Sequence, residues 1–170
     1  MSLYPHIATL DPSLPPSTTT PHHTTTAQPS ILSILPTLPI LHLSLLISTT
    51  RLTTIHALPA TNFNLIHAHY TELIARSKLQ QTAHGAVAVG GGSLREWGRD
   101  VCRAAWEELG GWGVIVPVVG GGMDGDGVGD EETRMWRVEV GLGEVEWGVR
   151  ERFGGGVGAG EVLVKWCREV

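Results

Sequence analysis

Residues 93–118, SLREWGRDVCRAAWEELGGWGVIVPV, pass from a helical to a strand-like pattern. Ser93 followed three residues later by Glu96 has the spacing of a capping box, in which each side chain accepts a hydrogen bond from the other residue's backbone N–H at a helix start. Behind it Leu94, Trp97, Val101, Ala105 and Leu109 keep a helical period, with Cys102 and Trp106 flanking the stripe, until Gly110 and Gly111 stop it. Trp112 to Val119 then reads as a strand. The segment 120–133, GGGMDGDGVGDEET, has no apolar periodicity and joins that strand to Met135 through Leu142, where Trp136, Val138, Val140 and Leu142 alternate with Arg137 and Glu139. A helix is thus followed by two strands and a long acidic, glycine-rich loop between them.

Two further helices precede this unit. Pro39 suits a first helical position, and Ile40, Leu43, Leu46 and Ile47 recur behind it at helical spacing to about Thr54. After the turn-like ALPATN, Asn62 is an N-cap candidate for a stripe of Phe63, Ile66, Tyr70, Leu73 and Ile74 that ends near Ser77. Glu144 to Phe153 and Glu161 to Val170 read as shorter C-terminal helices around the glycine-rich FGGGVGAG. The order predicts a mainly α protein with a small β-hairpin: a winged helix-turn-helix with a three-helix core and a wing, spanning 31–170 and ending in C-terminal helices over 144–170. Residues 1–30 are rich in Thr, Ser and Pro and carry few large apolar groups to offset their ordering entropy, so they read as a disordered tail.

Composition narrows the function. A chain of 170 residues holds one small domain with a core, and a formal net charge of -5 argues against an autonomous, strongly electrostatic nucleic-acid binder. Any DNA contact has to come from a local patch. The N-terminus has neither the basic start and apolar run of a secretory signal nor the Arg-rich pattern of a transit peptide. Cys102 and Cys167 have no CxxC spacing and read as buried, reduced thiols. Ile31 to Ile47 is uncharged, but Pro36, Pro39, His42 and its hydroxyls leave it short of the roughly 18 apolar residues of a spanning helix.

Particular residues carry a resemblance beyond the order of elements. FNLIHAHYTEL at 63–73, VCRAAWEELGGWGVIVPV at 101–118, MWRVEVGLGEVEWGV at 135–149 and KWCREV at 165–170 resemble, in this order and spacing, the C-terminal winged-helix domain of origin recognition complex subunit 4 in its fungal form. The resemblance implies a non-catalytic, nuclear module of DNA replication initiation whose partners are other subunits of the complex and, weakly, duplex DNA. That family's ATPase-type domain has no counterpart here: no GxxxxGK[ST] loop is present, and ATP binding is not carried over. The expectation is a fragment, a truncated gene model or a stand-alone relic of such a protein, with no cofactor.

In helix-turn-helix folds the third helix enters the major groove. Arg95, Arg99 and Arg103, at i, i+4 and i+8, would form one basic stripe on it, and with Lys78 they are the candidate DNA-binding residues. Against this stands a solvated face, with Glu96, Asp100 and Glu107 interleaved. Asp124, Asp126, Asp130, Glu131 and Glu132 would be repelled by phosphate, which keeps the wing tip off DNA. Two competing functions follow: a protein-interaction winged helix without DNA contact, or a small membrane-associated protein using 31–47.

No metal or catalytic constellation emerges. An EF-hand loop counted from Asp124 would place Val128 and Met135 at its fifth and twelfth positions, where oxygen ligands are needed. His67 and His69 point about 200° apart on a helix, so they cannot share an ion. GGGVGAG lacks the preceding strand of a dinucleotide fingerprint. Trp97, Trp106, Trp112 and Trp136 fall in apolar phase and read as core, whereas Trp147 and Trp166 could dock the C-terminal helices on the domain or on a neighbouring subunit.

Overall fold

The computed structural model describes residues 30–83, 94–118, 133–154 and 158–169. The expected tail before Ser30, the acidic wing loop up to Glu132 and the Ser93 cap lie outside the described residues. A short helix α1 (Ile31–Ile34) runs into a 3-10 turn (Leu35–Thr37). Extended Pro39 (φ -58, ψ 156) then launches α2 (Ile40–Ile55). Pro36 and Pro39 thus split the apolar run, and no described helix is long and apolar enough to cross a membrane.

Helix α2 is the axle of the domain. Every residue from Leu41 to Leu52 is buried, and α3, α4, α5 and α6 all pack on it. A helix buried on all sides must satisfy its own polar groups. The hydroxyls of Ser44, Ser48, Thr49 and Thr50 do so by donating to the carbonyls of Ile40, Ser44, Leu45 and Leu46 one turn back, at 2.8–2.9 Å.

Asn62 caps α3 (Phe63–Ala83) as expected, its Oδ1 accepting the Leu65 N–H at 3.0 Å. The helix runs past Ser77 because nothing in KLQQTA breaks it. The hydroxyl of Tyr70 then reaches out of α3 to the strand-like segment before the next helix. It donates to the Arg95 carbonyl (3.2 Å) and accepts the Trp97 N–H (3.1 Å), while Leu94 is drawn into the core. That capture corrects the expected helix start: with these backbone groups engaged elsewhere, α4 begins at Arg99, N-capped by Gly98, and ends at Gly111. Its buried face is Cys102, Ala105, Trp106 and Leu109; Val101, expected on the core stripe, is 47% exposed.

Gly113 turns the chain with φ +73, and strand β1 (Ile115–Pro117) pairs antiparallel with β2 (Trp136–Val138). Both strands are shorter than expected, since Trp112 and Gly113 are used in the turn and Gly141 already caps the next helix. Thr61, between α2 and α3, adds a third edge: it exchanges two backbone hydrogen bonds with Trp136, at 2.9 and 2.7 Å. Helices α2, α3 and α4 followed by this small antiparallel sheet give the winged-helix order.

Helix α5 (Leu142–Phe153) starts where the Glu144 carboxylate accepts the Gly141 N–H at 2.7 Å. It lies so close to the 3-10 turn that a Cβ on Gly148 would sit 2.6 Å from Leu35 Cβ. Helix α6 (Ala159–Arg168) closes the fold on α2, α3 and α5. Trp166 is 2% exposed and its indole donates to Ser77 Oγ at 2.8 Å; the buried Arg51 of α2 donates to the carbonyls of Trp166 and Glu169 at the helix end. Trp166 and Trp106 are therefore core, Trp97 and Trp136 half-buried, and Trp147 exposed. Trp112 departs from its expected place: as the C-cap of α4 it is 42% exposed and leans on the His42 ring at 5.2 Å. Cys102 and Cys167 are free and buried, and burial pushes their thiols up to about 11 and about 12.

Candidate nucleic-acid interface

The four basic candidates gather around the start of α4, but not as one stripe. Arg95 lies on the extended segment before the helix, its guanidinium 4.7 Å from the Trp97 ring centre. Arg99 is the first residue of α4; it bonds the Asn64 side-chain oxygen and lies 5.6 Å over Phe63. Arg103 follows one turn later, its Nε 3.3 Å from Glu107. Lys78, within α3 rather than past its end, reaches Glu96 at 2.6 Å and holds that carboxylate below its usual range. The spacing expected to align three arginines aligns two, because Tyr70 keeps Arg95 off the helix.

Each of these contacts is at the surface. Exposed i, i+4 ion pairs contribute only about 0.3–0.5 kcal/mol, so a phosphate can replace Glu107 beside Arg103 at little cost. The opposing observation is charge balance. Asp100, Glu107 and Glu108 share the outward side of α4 with Arg99 and Arg103, and Glu108 also bonds the buried His42 at 2.8 Å.

Counting by segment changes the electrostatic picture drawn from the whole chain. All 12 Lys and Arg residues are among the described residues, against 11 of the 17 acids, so this part carries one net positive charge. The net charge of -5 originates in Asp11 and the five acids between Asp124 and Glu132. The sequence held this signal in its charge distribution rather than in its total.

His67 faces Phe63 and Tyr70, with ring centres 5.8 and 6.3 Å away, while His69 faces His56 at 6.1 Å. Burial first, and then Arg99 for His67 and Arg51 for His69, lowers both pKa values, leaving both rings neutral at pH 7. Among the described residues no three His, Cys, Asp or Glu side chains converge to hold a metal ion. Sequence reasoning missed Arg51, Thr61 and the hydroxyl of Tyr70. For Arg51 a signal existed: it is the sole Lys, Arg, Asp or Glu between residues 12 and 71, and a lone charge in an apolar run is buried only when paired.

Known proteins resemble this chain in sequence. The sequence pattern of the family described as "Origin recognition complex (ORC) subunit 4 C-terminus" matches residues 1–149. Origin recognition complex subunit 4 of Schizosaccharomyces pombe is 38% identical over 114 residues, which are 67% of this chain and 11% of that protein. The chain therefore spans about a ninth of its relative's length.

Proposed function

The chain belongs to the family of origin recognition complex subunit 4 C-termini, and from that premise we propose that it is a non-catalytic nuclear module acting in the initiation of DNA replication. It docks on other subunits of the origin recognition complex and touches duplex DNA through Arg95, Arg99, Arg103 and Lys78. The observation that carries this reading is the outer side of α4: the third helix of a winged-helix core, it buries one face on α2 and α3 and presents Arg99 and Arg103 in exposed, exchangeable contacts. Because acids alternate with these arginines, DNA binding by the module alone is weak and salt-sensitive.

A second reading, docking to protein without DNA, draws on Val101 and Trp112, which are exposed at either end of the same helix. One experiment separates the two. Fluorescence anisotropy of a labelled random-sequence duplex is followed against salt, and co-elution with purified origin recognition subunits is followed in parallel. Salt-dependent duplex binding with co-elution is the expected result. Co-elution without duplex binding selects the second reading, and neither would overturn both.

A further inference from the structure

Where α4 meets strand β2, a cavity of about 150 Å³ opens between the two elements. Its walls are aromatic: Phe63 and Trp106, each 2% exposed, and Trp136, which meets Trp106 edge to face at 6.1 Å. Its rim is charged, with Arg103 and Glu107 on α4 and Arg134 just before β2. Arg103 and Glu107 offset each other at 3.3 Å, whereas Arg134 is exposed and carries no ion pair among the described residues. Trp106, buried in the wall, holds its indole N–H without an acceptor among the described residues. At Gly111, on the lip, a side chain would meet nothing within 4 Å among the described residues.

We infer that this cavity receives one large apolar side chain of a protein partner, with a carboxylate beside it pairing Arg134. The volume accommodates a single leucine or phenylalanine side chain and excludes a helix. Aromatic walls with a cation at the rim are the composition of an interface anchor pocket. Nucleic acid fits less well. A base would have to leave its stack to enter, and the rim offers one cation without an ion pair among the described residues, where a run of phosphates calls for several. A single carboxylate matches that charge.

This inference rests on the docking part of the proposed function and not on DNA contact by α4. It is tested on the full chain by following the indole N–H signals in ¹H–¹⁵N spectra, with Trp106 assigned by Trp106→Phe. Three probes are titrated: N-acetyl-Phe-Asp-amide, its Phe-Lys counterpart and oligothymidylate. The expected result is a saturable shift of the Trp106 signal by Phe-Asp alone. Arg134→Ala should weaken the same titration about tenfold, the effect of one charge-assisted contact. Equal shifts by Phe-Asp and Phe-Lys, a shift by oligothymidylate alone, or no shift with any probe would each overturn the inference. Subunit co-elution and duplex binding, measured separately, would be unaffected by that failure.

Discussion

Helices α2 and α4 lie against each other, yet one is buried on every side and the other along one face only. Helix α2 directs its hydroxyls inward onto its own carbonyls and its one charge, Arg51, onto the end of α6. Helix α4 directs Arg99, Arg103 and Glu107 outward into exposed pairs. The difference separates two tasks. Stability resides in α2 and what packs on it, whereas the recognition proposed above falls to the outer side of α4, whose pairs at Arg99 and Arg103 are exposed.

Substitutions should reveal that division in their sizes. Leu46→Ala, deep in α2, should destabilise the domain by about 2–5 kcal/mol in urea unfolding, from lost burial plus a residual cavity. Arg51→Met keeps the stem but leaves the Trp166 and Glu169 carbonyls without their donor, a loss of about 1–3 kcal/mol. Hydrogen exchange should locate that loss in α6 before the rest. Uniform exchange across the domain would mean that Arg51 does not hold α6 in particular.

A smaller effect is expected from pH. Burial lowers the pKa of His67 and His69 in the folded protein, whereas the unfolded chain titrates near 6.5. The unfolded state therefore binds protons first as pH falls, so this contribution is complete above about 6.5 and is lost toward the folded pKa values. The melting temperature should drop between pH 7.5 and 5.5, and the His67→Gln, His69→Gln double variant should drop less; identical drops would place the effect on other groups. The smallest change belongs to α4: Val101→Ala, at an exposed position, should shift stability by less than about 0.5 kcal/mol.

The same contrast governs what could be read from the sequence. Helices α2 and α3 were legible in their apolar spacing, in Pro39 and in Asn62, because those signals are local and the structure uses them locally. The start of α4 was not. Its capping-box spacing is a local signal overridden by Tyr70, 25 and 27 residues away from the backbone groups it engages. Val101 and Trp112 were misplaced for the same reason, since the helix begins later and ends against a turn rather than a strand. Thr61 joins the sheet through backbone bonds, which leave no mark on residue type. For the candidate interface, the spacing did not give a common face: a regular i, i+4, i+8 spacing is a stripe only if all three residues are helical, and Arg95 precedes the helix.

The central claim, that the outer side of α4 and the segment before it touch DNA, is tested most directly by a salt titration of duplex binding. The pair to compare is the wild-type chain and the Arg95→Ala, Arg99→Ala, Arg103→Ala variant. If each arginine neutralises one phosphate, the slope of log affinity against log salt should fall by about 0.9 for each arginine lost, with the melting temperature kept. An unchanged slope and unchanged affinity would contradict the account and leave α4 a solvated or protein-docking face.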